Sequence, residues 1–233
     1  MKLIFTMSRL IVGQGLAGSV LAWKLLAAGE RVFVIDPDEC VSASKVSGGM
    51  ISPICGRKLT KPFLFEDSLD YALSFYRSLE DHFSDSFIQE MKQEKRVQDE
   101  EQRQMWEKRK LDPSYSLYAT GNERKALDTI QISHTYLLNT KKVLQSLRNF
   151  FQSEGILIDG RWEHPKDIET NEDILHGNRI DMPIPCKQVL FCEGHKVTKN
   201  PWFAGLPFRP TKGEIITIET THPTSFENTI KSY

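Results

Sequence analysis

The sequence contains no run of about 18 apolar residues, the length that a membrane-spanning helix requires. It has no excess of one charge either, since 30 Lys and Arg residues face 31 Asp and Glu residues for a formal net charge of −1. A chain without a net field has no general attraction for nucleic acid or for anionic lipid. We therefore expect a protein of the cytoplasm whose partner is a small molecule, with neither nucleic acid nor membrane as a ligand.

Cysteine and histidine patterns are equally sparse. The cysteines form no C-x-x-C pair and no disulfide framework, so we expect reduced thiols at Cys40, Cys55, Cys186 and Cys192. His164 and His176 lie in no metal-ligand spacing, which predicts ordinary surface histidines and no metal. The apolar N-terminus has no small-residue cleavage site before residue 13, which argues against a signal peptide.

The stretch from Leu10 to Asp36 carries the strongest pattern in the chain. It reads as a strand, a glycine turn, a helix, a second strand and an acid. In such a unit the first glycine permits the turn, the second leaves room for a diphosphate against backbone, and the third lets helix and strand pack closely. These positions are Gly13, Gly15 and Gly18.

The same unit predicts how a dinucleotide would be held. Leu16 and Ala17 begin the helix, whose unpaired N–H groups favour phosphate, and Asp36 can accept hydrogen bonds from an adenosine ribose. An acid at that position disfavours a 2′-phosphate, so FAD or NAD is expected rather than NADP. An NAD enzyme would need a second mononucleotide-binding half soon afterwards, which the sequence does not show. An ordinary βαβ unit without a ligand is the structural alternative.

A loop rich in small and hydroxyl residues follows over residues 42–57, and with it the chain resembles a known family. It is similar to the D-amino-acid oxidase-like FAD-dependent oxidoreductases, which include glycine and sarcosine oxidases. The resemblance implies that this loop runs under the flavin and that FAD is the cofactor. The residues it matches are Ser44, Ser47, Gly48, Gly49 and Met50.

Two later segments extend the resemblance. Residues 188–194 are similar to a family strand that ends in Ala-x-Gly, with Cys192, Glu193 and Gly194 at those places. Glu193 departs from the pattern and needs a partner or solvent if it is buried. Residues 207–218 resemble a strand that re-enters the substrate sheet, after which family members continue well beyond the point where this chain ends. The resemblance thus implies a truncated member, or a protein whose remaining half is supplied elsewhere.

Helical periodicity predicts the connecting elements. One helix is expected over 66–87 and another from Asn139 and Thr140 to Gly155, followed by a strand over 156–158. Of the 21 residues in 90–110, 13 are charged, which predicts a solvated surface with a helix capped by Asp99.

The expected fold is therefore α/β, a Rossmann-type FAD-binding domain with an interleaved, incomplete α+β substrate domain. Residues 1–85 and 139–206 are assigned to the FAD-binding domain, 86–138 to a substrate-side region, and 207–233 to the start of the substrate-domain sheet.

The resemblance implies oxidation of an amine or amino acid by hydride transfer to flavin N5. Arg57 is the one candidate for a substrate contact, because a guanidinium beside the flavin could hold a carboxylate in two hydrogen bonds. The alternative is a non-catalytic or half-site nucleotide-binding remnant of such an enzyme.

Overall fold

The structure is a computed structural model that describes residues 8–39, 42–122, 129–164, 169–171, 174–176, 185–216 and 229–232. Two compact units make up the chain, and each is built from segments distant in sequence. Unit 1 comprises Met1–Ser47 and Thr140–Ile215, and unit 2 comprises Gly48–Asn139 and Ile216–Tyr233. Cys40 and the segment 217–218 fall outside the described residues.

Unit 1 contains a six-stranded sheet. Its strands are β1 (Ser8–Val12), β2 (Val32–Asp36), β7 (Leu157–Asp159), β8 (Glu169–Asn171), β9 (Ile174–His176) and β10 (Pro185–Phe191). They lie in the order β7-β2-β1-β10-β9-β8. The four strands from β7 to β10 are parallel, and β9 and β8 add an antiparallel edge. The central strands are apolar because both of their faces are covered, as in other parallel sheets.

Helix α1 (Leu16–Ala27) connects β1 to β2, and only its small residues are fully buried. Gly18, Ser19 and Ala22 form that buried face. A helix that is apolar nearly all round in sequence is expected to be buried, but its large apolar residues are not fully buried. These are half-buried because the close packing of helix and strand admits only small side chains between them: Leu16, Val20, Leu21, Trp23, Leu25 and Leu26.

Helix α5 (Thr140–Ser153) carries the predicted apolar stripe and returns the chain to unit 1. Val143, Leu147 and Phe151 are completely buried. The ring of Phe150 meets Trp23 of α1 edge-on, with ring centroids 5.1 Å apart. β7 follows directly and pairs with β2, so the predicted strand is confirmed and its carboxyl end lies beside Asp36.

Unit 2 is built on a second sheet. Its strands are β3 (Met50–Ile51), β4 (Ile88–Arg96), β5 (Ala119–Asn122), β6 (Thr129–Leu138) and β11 (Thr229–Ser232). They lie in the order β11-β4-β6-β3, with β5 also paired to β6. β4, β5 and β3 are antiparallel to β6, whereas β11 is parallel to β4.

The charged segment 90–110 is the clearest departure from expectation, because its first part is β4, an inner strand of this sheet. Gln93 and Lys95 are buried, and the Gln93 side-chain oxygen accepts hydrogen bonds from Ser52 and Thr135. The predicted solvated surface is therefore wrong for this part. Every second residue lies on one face of a strand, so Lys92 and Arg96 remain exposed while Glu94 is half-buried.

The helices of unit 2 agree better with the sequence. α2 (Phe65–Phe83) ends four residues earlier than predicted, at a left-handed Ser84, and α4 (Pro113–Ser116) is a single turn. Helix α3 (Glu100–Arg109) has Asp99 as its N-cap, whose carboxylate accepts the Gln102 N–H at 2.9 Å, as predicted.

The boundaries of the units differ from those assigned by sequence. The chain leaves unit 1 after residue 47 rather than 85, because β3 pairs with β6 and α2 packs beside β4. The sequence assigned 48–85 to the FAD-binding domain, whereas these residues pack within unit 2. Residues 207–216 form no strand, and residues 207–215 belong to unit 1. Within the described ranges, none of the helices has the length and apolarity needed to cross a bilayer.

Gly49 provides a test of packing in unit 2. Its φ is +66°, and a Cβ there would lie 1.9 Å from the carbonyl oxygen of Leu138. Gly56 has nearly the same φ, +65°, and a Cβ on it would meet no atom within 4 Å. We expect Gly49→Ala to lower the free energy of unfolding by about 2 kcal/mol more than Gly56→Ala, since only the first adds a clash to backbone strain. Urea unfolding followed by circular dichroism measures both, and equal losses would contradict the assigned contact.

Candidate functional site

A cavity of about 540 Å³ lies at the carboxyl ends of the parallel strands of unit 1. Its walls come from the ends of β1, β2, β7 and β10 and from the segment 42–45. β2 and β7 extend the sheet on one side of β1 and β10 extends it on the other, so the strand order reverses at β1. Ligands of open α/β sheets bind at such a reversal.

The glycine turn after β1 is held by backbone contacts. Gly13 has a φ of +104°, and a Cβ on it would lie 2.5 Å from the Cys192 carbonyl oxygen. A Cβ on Gly18 would lie 1.9 Å from the Gly13 carbonyl oxygen. Neither position therefore accepts a side chain, and the turn brings the N-terminus of α1 to the cavity.

Gly15 differs from these two glycines because no backbone atom crowds it. A Cβ there would meet the Ser44 hydroxyl at 3.2 Å, and the backbone is extended, with φ −76° and ψ −173°. The Ser44 hydroxyl accepts the N–H of Leu16 at 3.1 Å. The space beside Gly15 is thus part of the cavity, bounded by the first turn of α1 and by Ser44.

Asp36 ends β2 beside this turn, and its carboxylate is fixed by several donors. Oδ2 accepts the backbone N–H of Gln14 at 2.9 Å, and Oδ1 accepts the N–H of Asp38 at 2.9 Å. Arg148 of α5 donates to Oδ1 at 3.2 Å. A hydrogen bond from Lys45, with help from the nearby Arg148 charge, holds the pKa of Asp38 below its ordinary value.

Glu39 joins two cations at the edge of the cavity. Its carboxylate pairs with Arg161 at 2.6 Å and with Lys196 at 2.5 Å. The hydrogen bond from Lys196, aided by the positive charges around it, lowers the pKa of Glu39. The segments after β2, β7 and β10 are therefore joined by charge at this edge.

A buried polar chain runs through Trp162 and Glu193, two residues that line the cavity. The Trp162 indole N–H donates to His164 Nδ1 at 3.0 Å, His164 Nε2 lies 2.7 Å from Glu193 Oε1, and Asn200 Nδ2 donates to Glu193 Oε2 at 2.8 Å. An indole nitrogen only donates, so Nδ1 must accept and Nε2 carries the proton to Glu193. The side chains of His164 and Glu193 are each 9% exposed.

This arrangement corrects the prediction that His164 is a surface histidine. It also supplies the partner that Glu193 requires, because each carboxylate oxygen has a donor within the chain.

The Cys192 thiol precedes Glu193 in the chain. Burial raises the pKa of this thiol, and the Glu193 charge raises it further. Cys192 is therefore an un-ionised thiol at neutral pH. Among the described residues, no cluster of His, Cys, Asp and Glu could hold a metal ion.

Most of the residues predicted to bind the cofactor lie at this cavity. Those that line it are Gly13, Gly15, Leu16, Ala17, Asp36, Ser44, Cys192, Glu193 and Gly194. Gly18 lies beneath the turn, and the Ser47 hydroxyl bonds to Ser44 O and to the Thr140 hydroxyl. Gly48, Gly49 and Met50 belong to unit 2, where Met50 is in β3 and Gly49 is packed against Leu138.

Arg57 also lies in unit 2, and its guanidinium is already paired. It bonds to the Asp99 carboxylate at 2.5 Å and lies 3.7 Å from Glu101. The side chain is 64% exposed. A contact with a substrate carboxylate would have to displace Asp99, and the substrate role of Arg57 stays a prediction.

Sequence reasoning missed Gln14, Arg148 and His164, although the sequence held signals for two of them. Arg148 is four residues after Leu144 and three before Phe151, which places a charge inside the apolar stripe of α5. His164 is two residues after Trp162, so in extended chain both side chains lie on one face. Gln14 lies at a variable position of the glycine pattern and carries no such signal.

A family model described as FAD dependent oxidoreductase matches residues 9–232, nearly the whole chain.

Solved structures with the same fold include two oxidases and a dehydrogenase. Glycine oxidase from Geobacillus kaustophilus is 14% identical with a TM-score of 0.64, and iminodiacetate oxidase from Chelativorans sp. BNC1 is 16% identical with a TM-score of 0.63; each match covers 82% of this chain and 56% of the other. L-proline dehydrogenase from P. horikoshii is 12% identical with a TM-score of 0.62, over 88% of this chain and 57% of the other. At these identities the likeness concerns the fold, and the chain spans little more than half of each relative.

The buried polar chain generates a stability prediction. Glu193→Ala removes the acceptor of two buried donors, so we expect the free energy of unfolding to fall by roughly 2–4 kcal/mol. Glu193→Gln keeps one acceptor oxygen and should lose about half as much. Urea unfolding measures both variants, with Glu154→Ala as the control. Glu154 is exposed, so its substitution should change the free energy of unfolding by no more than about 0.5 kcal/mol. Equal effects at positions 193 and 154 would contradict the described bonds.

Proposed function

Because the chain belongs to the family of FAD-dependent oxidoreductases, we propose that its cavity binds FAD for the oxidation of an amine or amino acid. The observation that carries this proposal is the joint geometry of the glycine turn and Asp36. Gly15, which has no Cβ, lines the cavity at the first turn of α1, and the Asp36 carboxylate lies at the same cavity.

The residues present fit the cofactor. Helix N-termini leave N–H groups without partners inside the helix, and the first turn of α1 offers such groups to a diphosphate. Asp36 would accept from the adenosine ribose, and the absence of a Cβ at Gly15 leaves the diphosphate room. The loop residue Ser44 lies across from Gly15 and would border the same group.

When bound, FAD would supply the electron acceptor for oxidation of the carbon that bears the substrate nitrogen. The chain's own contribution is to bind and orient. The Cys192 thiol is neutral and the Glu193 carboxylate is engaged by two donors, so proton transfer by these two residues is not part of the proposal.

The relatives suggest the class of substrate. Their names specify glycine, iminodiacetate and L-proline, which are all amino acids or secondary amines. We propose a substrate of this class for the complete active site. The second candidate is a nucleotide-binding chain without catalysis of its own, favoured by the ion pair that engages Arg57.

A flavin titration separates these functions. We expect the purified chain to be yellow, or to quench the fluorescence of added FAD at a ratio of one to one. Addition of glycine, iminodiacetate or L-proline without oxygen should then bleach the flavin absorbance. Flavin binding without bleaching by any amine would favour the non-catalytic candidate. A purified chain that is colourless and does not bind added FAD would refute the proposed site.

The variant Gly15→Val tests the position of the diphosphate. The backbone at position 15 is extended, so we expect the chain to fold with valine there, and the valine side chain would fill the space beside Ser44. We expect FAD affinity to fall at least about tenfold, the equivalent of one lost charge-assisted hydrogen bond. Gly213→Val is the matched control, since no atom lies within 4 Å of a Cβ there. Unchanged FAD affinity in Gly15→Val would place the diphosphate elsewhere.

A further inference from the structure

Arg148 is a buried cation on the return helix α5. Its side chain is only 4% exposed, between core residues Leu147 and Phe151 of the same helix. A charge in such surroundings is costly unless it is paired and hydrogen-bonded. Its partners therefore show why an arginine occupies a position that the apolar stripe would otherwise fill.

Those partners are the two groups that flank the glycine turn. Arg148 Nη1 donates to Gln14 Oε1 and to Asp36 Oδ1, both at 3.2 Å. Its Nε lies 3.4 Å from the Asp38 carboxylate. One guanidinium thus connects the turn after β1 with the end of β2.

Gln14 completes the arrangement. Its side chain is 2% exposed, and its amide nitrogen donates to the Ser19 hydroxyl at 3.0 Å and to the Leu144 carbonyl at 3.1 Å. Its backbone N–H holds the other oxygen of Asp36. Gln14 and Arg148 therefore orient the Asp36 carboxylate from two sides.

These bonds leave Asp36 little freedom. A carboxylate offers about four acceptor sites, and the N–H groups of Gln14 and Asp38 together with Arg148 occupy three of them. One acceptor site remains for a ligand at the cavity. Its direction is set by the donors that hold the other three.

We propose that Arg148 is a positioning residue for the adenosine ribose, acting through Asp36, whose carboxylate it orients towards a single ribose hydroxyl. The inference rests on the proposed FAD site. It assigns to α5 a part in cofactor affinity although Arg148 itself is not among the residues that line the cavity.

The test compares two flavins. FMN lacks the adenosine, so its binding cannot depend on the contact between Asp36 and the ribose. We expect Arg148→Met to weaken FAD binding at least about tenfold and to change FMN binding less than about twofold, both measured by fluorescence titration. Lys141→Met removes a cation from the exposed face of the same helix and should change neither.

Arg148→Lys keeps the buried charge but lacks the planar fork that reaches two acceptors. The lysine variant replaces the methionine variant in the test if the latter does not fold. We expect it to weaken FAD binding by about threefold and to leave FMN binding unchanged. Equal weakening of both flavins would show a merely structural role and overturn the inference. Full FAD affinity in Arg148→Lys would overturn the orienting role of the fork. A wild-type chain that binds neither flavin would instead refute the proposed function itself, and this inference with it.

Discussion

The close approach of Gly18 to the Gly13 carbonyl is the constraint on which the cavity depends. The contact involves the backbone at both positions, so no side-chain movement could relieve the clash that a larger residue at position 18 would cause. Gly13 also packs closely against the carbonyl group of Cys192, so the glycine turn contacts the chain at the end of β10. The position of α1, the opening beside Gly15 and the spacing of two neighbouring strands all follow from contacts that only glycine permits.

Around this backbone frame, the walls of the cavity are fixed by buried polar groups rather than by apolar packing alone. Arg148 holds Asp36 on one side, and Glu193 joins His164 to Asn200 on the other. Such networks stabilise a structure only when their members are satisfied, because an unpaired buried group costs more than a bond returns. Their value here lies in directional precision, since each bond restricts where a carboxylate points.

The fold and the glycine site were predictable because both depend on local patterns. The order of strand, turn, helix and acid specifies β1, α1, β2 and Asp36 almost by itself, and Asp99 signals the start of α3. The failures involve partners distant in sequence. Nothing near β4 reveals that β6 and β11 flank it, and Arg57 cannot be matched to Asp99 from spacing alone. Gln14 likewise acquires its role from α5, more than a hundred residues later.

Unit 1 is discontinuous, and this has a consequence for how it is made. β1, α1 and β2 are complete by residue 36, whereas the helix and strand that cover them begin at residues 140 and 185. During translation the nascent chain therefore carries one unpaired edge of β1 while the whole first segment of unit 2 emerges from the ribosome. Contacts so distant in sequence form slowly, and an exposed strand edge invites pairing with other chains. Until β10 has been made, that edge of β1 stays available for such pairing.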